Sequence, residues 1–246
     1  MIPRRIYEHV KAHNWFAVAI DFVIVVVGVF VGLQVNNWNA ARQDRARESF
    51  YLEGLATDIG SDIAEIDEII RVSTVRLSAL NLLLWPDRAS PAGFRSARGI
   101  IEIEKAPPFS AEESGSTGVA MFILTTLEGN RLAYDTMINA GGVGLVRDAS
   151  LVREVQSYYA TAEALRDFEQ SLKDSRVKLV DAQQQAGISP VDATPAAELA
   201  NAFGADAPLI AAAKNYWLYT NRHVKLMRDL RVKAEALLAR LEGGSP

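Results

Sequence analysis

One apolar run near the N-terminus constrains this chain more than any other feature of its sequence. Residues 15–35 are apolar throughout except for Asp21 and Gln34. A run of about 20 such residues is long enough to cross a bilayer as one helix. Trp15 and Trp38 flank it, and a helix rising about 1.5 Å per residue places them about 35 Å apart, one at each membrane interface. We therefore predict a transmembrane helix over residues 15–38 after a cytoplasmic tail, residues 1–14.

The run is typical of a retained signal anchor. It is too long for the apolar part of a cleaved signal peptide, and residues 36–39 place Asn-Asn-Trp-Asn where a cleavage site needs small residues. Three positive residues flank it on either side: Arg4, Arg5 and Lys11 before it, and Arg42, Arg45 and Arg47 after it. The free terminal amine tips this balance. We expect the N-terminus in the cytoplasm and the C-terminal domain across the membrane.

Composition excludes several classes of site. The chain has 246 residues, a formal net charge of −4 and no cysteine. This charge supplies no basic surface for nucleic acid, and the lack of cysteine excludes disulfides, thiol nucleophiles and thiolate metal ligands. The three histidines, His9, His13 and His223, are too few for a histidine-rich metal centre. We find no catalytic constellation, so we predict a protein that is not an enzyme and holds no cofactor.

The stretch after the span, residues 39–85, predicts a long amphipathic juxtamembrane helix. Its apolar residues recur at steps of three and four, as in Leu52, Leu55, Ile59 and Ile63. Pro86 ends the pattern, because a proline disfavours helix at the residue before it and has no N–H to donate.

Residues 86–246 predict a helical domain with two irregular parts. Prolines and glycines interrupt the first part, residues 86–116, where residues 100–103 form a candidate strand. Two short helices are expected at residues 119–127 and 132–138, followed by a turn at 141–144. A long helix begins at Asp148 or Ser150 and ends before Gly187. A loop over residues 186–206 leads to a last helix over residues 209–241.

These elements favour an all-α fold. One transmembrane helix continues into the long amphipathic helix, and the extramembrane domain is a helical bundle. The three-four spacing is also typical of a coiled coil. It leaves open whether the apolar seams close within one chain or between chains.

Within the span, Gly28 and Gly32 form a Gly-x-x-x-Gly pair. Two glycines one turn apart flatten a helix face, so that a second helix can approach closely. If helices associate, Asp21 lies on the same side, where its carboxylate can pair with another chain. The alternatives are that Asp21 reaches the near interface and that the glycines are ordinary membrane glycines. We treat these three residues as candidates for helix association and expect a homo-oligomer.

Polar residues next to the span mark the expected membrane interface. Amides at this depth can bond across helices or form a polar collar against lipid headgroups. The candidate interface residues are Trp15, Gln34, Asn36, Asn37, Trp38 and Asn39.

Three other patterns indicate structural roles. Asp58, Asp62 and Glu65 share a helix face, and because no Glu-x-x-His motif accompanies them we expect a solvated acidic face, with a metal site as the alternative. Residues 114–118 lack the G-x-S-x-G pattern of a hydrolase. His223 falls on the apolar seam of the last helix, so we expect it to be buried or half-buried rather than catalytic.

Two segments resemble landmarks of a family of uncharacterised single-pass bacterial membrane proteins. In its N-terminal signature an acidic residue precedes an apolar run ending in Leu-Gln-x-Asn-Asn-Trp-Asn, and Asp21 and residues 25–39 fit this. Residues 133–142, with Leu151 and the pair Tyr158-Tyr159, are similar to its second landmark. The family has a domain of unknown function. The resemblance implies a single-pass bacterial envelope protein and supplies no activity. Together with the orientation expected above, it places the chain in the bacterial inner membrane with the C-terminal domain in the periplasm, as an expectation.

Two functions remain in competition. The first is a non-enzymatic, membrane-anchored helical protein that self-associates in the lipid bilayer and acts as a scaffold or binds another envelope protein. The alternative is an extracytoplasmic, sensor-like helical bundle that binds a small ligand. A pocket between the last two long helices would favour the alternative, and its expected lining residues are Tyr158, Tyr159, Tyr216 and Tyr219.

Overall fold

The computed structural model describes residues 15–87, 89–96, 99–189 and 194–243. Its contacts divide the chain into two compact units, Met1–Phe50 and Tyr51–Pro246. Helix α1, Trp15–Leu84, begins in the first unit and ends in the second. The described residues are predominantly helical, which confirms the all-α prediction, and one small β-hairpin is the exception.

Helix α1 ends where the sequence predicts. Its last residue is Leu84, just before Pro86, and the Trp85 N–H still donates to the Asn81 carbonyl at 2.9 Å. No break separates the apolar run from the amphipathic stretch. The predicted continuation of one helix into the other is therefore present.

In the first unit, α1 exposes its apolar side chains. An 18-residue window near the N-terminal end of the helix has a mean hydropathy of 2.1, and none of it is buried within the chain. Phe22 and Phe30 are 68% and 62% exposed. Among the described residues, α1 is the one helix long and apolar enough to cross a membrane.

In the second unit, an irregular segment follows α1. Strands β1, Gly93–Ser96, and β2, Gly99–Glu102, form an antiparallel hairpin near the predicted strand. The short helices are α2, Ala111–Ser114, α3, Thr117–Ala120, and α4, Leu132–Asn139.

The predicted turn after α4 is present and contacts α1. Gly141 has a left-handed φ of 69°, which a glycine adopts without strain. Residues Gly142–Leu145 then form a 3-10 turn. Gly142 lies against the ring of Tyr51, where an added Cβ would sit 2.5 Å from a ring carbon. This close approach fixes the start of the next helix beside α1.

Two long helices complete the second unit. Helix α5, Ala149–Gln185, begins at Asp148, whose carboxylate accepts hydrogen bonds from the N–H groups of Ser150 and Leu151. Helix α6, Ala196–Ala205, precedes helix α7, Ala207–Gly243. Both long helices lie close to the positions that their apolar spacing predicts.

The apolar core of the second unit consists of two clusters. The first joins residues 55–69 of α1 to residues 151–165 of α5 and 227–241 of α7. The second joins residues further along α1 and α5 to the first half of α7. Buried polar side chains lie where the clusters meet, and we call them the polar layer: Ser73 and Arg76 of α1, Glu169 of α5, and Thr220 and His223 of α7.

Two predictions for the connecting segments were wrong. The helix expected over residues 119–127 is reduced to α3, because side chains of α1 and α5 bind the backbone groups that a continued helix needs. The loop expected over residues 186–206 contains α6. Leu199 and Phe203, one turn apart, are buried, so the packing of one apolar face favours a helix there.

Candidate functional site

The predicted membrane residues lie on an exposed part of α1. At Gly28 and Gly32 no atom beyond the neighbouring residues and the local helix backbone comes within 4 Å of an added Cβ, so this face is open to another helix. The helix begins at Trp15, and the predicted tail, residues 1–14, lies outside the described residues. The remaining candidates of the span and its interface are also exposed: Asp21, Gln34, Asn36, Asn37, Trp38 and Asn39. Their roles between helices and at the interface stay predictions.

The centre of the polar layer is Arg76, which is completely buried. Its Nη1 donates to the Ile123 carbonyl at 2.9 Å, and its Nη2 donates to the Ser73 hydroxyl at 3.0 Å. Nη2 also lies 3.3 Å from Nδ1 of His223. Arg76 therefore ties the irregular segment after α3 to the core.

His223 joins Arg76 to a buried carboxylate. Its Nε2 lies 2.9 Å from Oε1 of Glu169, and its Nδ1 lies 3.1 Å from the Ser73 hydroxyl. Arginine is only a donor, so Nδ1 accepts, and the ring proton sits on Nε2 and points to Glu169. The Glu169 carboxylate also accepts the Leu127 N–H, at 3.0 and 3.2 Å. This imidazole is neutral and fully hydrogen-bonded.

The electrostatics agree with a neutral His223. Burial lowers its pKa, the hydrogen bond to Glu169 opposes this, and the nearby Arg76 guanidinium lowers it further. The Arg76 pKa is also lowered by burial. The His223–Glu169 contact is short enough for an ion pair. Because the pKa of His223 is lowered, the imidazole is neutral, and the contact is a hydrogen bond from its Nε2–H to the carboxylate.

A second polar arrangement involves Asp58, Asp62 and Glu65 of α1, which we call the carboxylate row. Glu65 accepts the N–H groups of Glu128 and Gly129 at 2.6 and 3.0 Å. The row also binds the segment further along, because Asp62 accepts the Asn130 N–H at 2.7 Å and Asp58 accepts the Ala133 N–H at 2.8 Å.

The prediction of a solvated acidic face was therefore wrong. Asp58 and Asp62 are buried, at 5% and 3% exposure, and the Tyr158 hydroxyl also donates to Asp62 at 2.7 Å. Burial raises the Asp62 pKa, and the hydrogen bonds from Asn130 and Tyr158 oppose that rise. Burial, followed by the hydrogen bond to Asp62, raises the pKa of Tyr158. The carboxylate row therefore binds the backbone of residues 128–133, which lies against this face of α1.

The four tyrosines that would line a pocket in the ligand-binding alternative pack against other side chains. Tyr158, Tyr159 and Tyr216 are buried, with at most 3% exposure. Tyr159 stacks on Tyr134 with ring centroids 4.2 Å apart, and Tyr219 packs against Phe168 at 5.7 Å. These four tyrosines therefore supply core packing between the helices rather than the walls of a ligand site.

The His223 imidazole and the carboxylates of Glu169, Asp58, Asp62 and Glu65 are hydrogen-bonded to the protein itself. His223 is buried as predicted, and its partners are side chains of α1 and α5. Among the described residues no group of three or more His, Asp or Glu side chains is arranged to hold a metal ion. The carboxylate row binds backbone N–H groups, and its role is therefore structural.

Sequence reasoning missed Arg76 and Glu169. Glu169 lies between Leu165 and Leu172 on the apolar seam of α5, at a three-four step. Ser73 interrupts the seam of α1 in the same way. A polar residue at a seam position is the available signal for such a layer. Arg76 carries no such signal of its own, because it adjoins the seam.

Comparison with known proteins gives one match. Residues 21–88 match a family of unknown function, DUF6090, over about a quarter of the chain. The matched part includes the Gly28–Gly32 pair, the carboxylate row and Arg76, and it does not reach residues 133–142. No curated protein and no solved structure matches the chain. The match agrees with the resemblance to an uncharacterised domain family, and it assigns no activity.

Proposed function

We propose that this protein is a non-enzymatic, membrane-anchored helical scaffold that self-associates through its span and binds a partner protein in the bacterial envelope. The observation that carries the proposal is the exposed apolar part of α1. Exposing so many large apolar side chains to water is unfavourable, and a bilayer removes that cost. In this proposal the lipid bilayer is the first partner of the chain.

The open glycine face supports self-association. Hydrocarbon tails provide no hydrophobic drive between helices, so membrane helices associate through close packing at small residues. Gly28 and Gly32 provide such a surface, and no part of the chain's own described structure covers it. A second copy of the same helix fits a flat glycine face by symmetry.

The structure of the second unit supports binding rather than catalysis. A catalytic acid, base or nucleophile has to reach a substrate. His223, Glu169, Asp58 and Asp62 are buried and hydrogen-bonded to the protein itself. Rigidly held helices of this kind are suited to presenting a surface.

The retained apolar anchor and the bacterial family resemblance support a place in the inner membrane with the C-terminal domain in the periplasm. A cysteine-free chain also suits that oxidising compartment. Under this proposal an envelope partner meets the second unit outside the cytoplasm.

Two measurements on the full-length chain test the proposal. Isolated membranes washed with high salt and then with alkaline carbonate are expected to retain the protein, because an integral helix resists both. Light scattering of the protein in mild detergent is expected to give the mass of a dimer or a larger oligomer. Release of the intact chain by carbonate contradicts the anchor, and a monomer at all protein concentrations contradicts self-association.

A further inference from the structure

A cavity of about 570 Å³ lies beside the C-terminal end of α1 in the second unit. One wall is a single face of α1, formed by Ser78, Asn81, Leu82 and Trp85. The other wall is formed by residues 89–92 and 103–109. This volume falls within the range of about 300–1,000 Å³ that small-molecule sites occupy.

Contacts with α7 hold each wall of this cavity at one place, at Asn81 and Trp85 on α1 and at Glu104 opposite. Trp85 packs edge-on against Trp217, with ring centroids 4.8 Å apart, and Trp217 Nε1 donates to Asn81 Oδ1 at 2.7 Å. On the opposite wall, the Asn221 amide bonds both backbone groups of Glu104, at 3.3 and 3.1 Å. A cavity with preformed walls loses little conformational freedom when a ligand enters.

The surface of the cavity combines aromatic rings with one available positive charge. Trp85 and Phe109 are half-buried and line it. The Glu104 carboxylate forms an ion pair with Arg228. In the part of the chain that the structure describes, the exposed Lys105 ammonium has no carboxylate partner. Of the two charged residues that line the cavity, Glu104 is neutralised by Arg228, so Lys105 supplies the remaining positive charge.

We propose that this cavity binds a compact aromatic carboxylate. The flat apolar body lies against Trp85 and Phe109, and the carboxylate meets the Lys105 ammonium. Aromatic rings favour aromatic partners in offset or edge-on contact. A fatty acid has the same two kinds of chemistry, but its flexible chain loses more freedom on entering a cavity of this size. The site depends on neither the membrane span nor self-association, so it goes beyond the scaffold function.

The test is a calorimetric titration of the full-length protein in phosphatidylcholine nanodiscs with 2-naphthoate, with empty nanodiscs as the reference. We expect saturable binding at one site per chain. Ala106→Phe fills the cavity from its lining and is expected to abolish binding. Lys105→Gln is expected to weaken it about two- to fivefold, as for an exposed ion pair. Lys225→Gln, at an exposed lysine paired with Asp229, is the matched control and leaves binding unchanged.

Two further ligands separate charge and shape. Uncharged 2-naphthalenemethanol is expected to bind more weakly than 2-naphthoate and to be indifferent to Lys105→Gln. Decanoate, the lipid-like competitor, is expected to displace 2-naphthoate only at higher concentration than 2-naphthoate itself requires. Because Lys105 is exposed, its variant keeps the test valid even if Ala106→Phe fails to fold.

Four results overturn the proposal. They are heats equal to those of empty nanodiscs, full binding by a folded Ala106→Phe variant, an equal effect of Lys105→Gln on the charged and uncharged ligands, and tighter binding of decanoate than of 2-naphthoate. The last result assigns the cavity to a lipid-type ligand.

Discussion

At the scale of single residues, Arg76 and Glu169 form a buried pair of opposite charges that the His223 imidazole bridges. Moving either charge out of water alone is expensive, and their mutual compensation and hydrogen bonds offset that cost. The pair also holds the chain after α3 at two points, through the Ile123 carbonyl and the Leu127 N–H. Each member therefore depends on the presence of the others.

Glu169→Gln is expected to lower the free energy of unfolding by about 3 kcal/mol, because it leaves the Arg76 guanidinium buried without its counter-charge. Glu163→Gln, on the same helix, removes a carboxylate that is 68% exposed and is expected to cost less than about 1 kcal/mol. Denaturant unfolding of both full-length variants in the same detergent measures the difference. If both variants lose the same free energy of unfolding, the buried Glu169 contributes no more to stability than the exposed Glu163.

Acid is expected to weaken the second unit through His223. Its pKa in the folded protein lies below the ordinary value of about 6.5. The unfolded chain therefore binds a proton below about pH 6.5 that the folded chain resists. Stability contributed by the neutral imidazole is present above that pH and falls by up to about 1.4 kcal/mol per pH unit below it.

His223→Gln removes this titration and isolates its effect. Asp62, whose pKa is raised, responds to acid in the opposite sense and is present in both proteins, so it cancels in the comparison. We expect the stability difference between parent and variant to shrink as the pH falls from 7 to 5. A difference that stays constant over this range contradicts a neutral, buried His223.

At the scale of elements, periodicity predicted the long helices because each buries a face that repeats every three or four residues. It failed for residues 119–127, where the outcome depends on carboxylates far away in sequence. A local apolar pattern contains no information about the hydrogen bonds that the Glu169 and Glu65 carboxylates accept from the N–H groups of Leu127 and Glu128. Partners distant in sequence therefore overrode local helix preference.

The polar layer was only partly predictable for a related reason. Ser73, Glu169 and His223 each interrupt an apolar seam, and this is visible in the sequence. That the three interruptions meet depends on the axial register of three helices, which the connecting segments set. The burial of His223 was predicted, and its partners were not.

Asp62→Asn is expected to loosen the segment that the carboxylate row holds. The variant keeps an acceptor oxygen for only one of the two donors, the Asn130 N–H and the Tyr158 hydroxyl, and places an NH2 donor at the other, at a cost of about 1–3 kcal/mol. Hydrogen exchange of the amides of residues 127–133 should become at least tenfold faster. Asp67→Asn, at a half-exposed carboxylate paired with Arg231, is the control and should leave these amides unchanged. Unchanged exchange in Asp62→Asn would mean that packing alone holds the segment.

At the scale of the whole molecule, the chain divides into an exposed apolar helix and a unit with its own core. Composition and one apolar run were enough to predict the possible anchor, since length and hydropathy decide whether a helix can cross a bilayer. Self-association is not determined by these properties, because it depends on how well two copies of one helix face pack. Variants of the Gly28–Gly32 face can test whether two copies of the span pack well enough to associate.

A membrane reporter of helix association, applied to the span and to three single variants, measures whether the Gly28–Gly32 face joins two chains. Leucine at Gly28 or Gly32 separates the two backbones, so Gly28→Leu and Gly32→Leu are each expected to weaken association by about 1–2 kcal/mol. Val29→Leu changes a residue off that face and is expected to leave association unchanged. Cross-linking of the full-length variants should give the same order. If all three variants associate as strongly as the parent, the glycine face does not join the chains, and self-association through the span is contradicted.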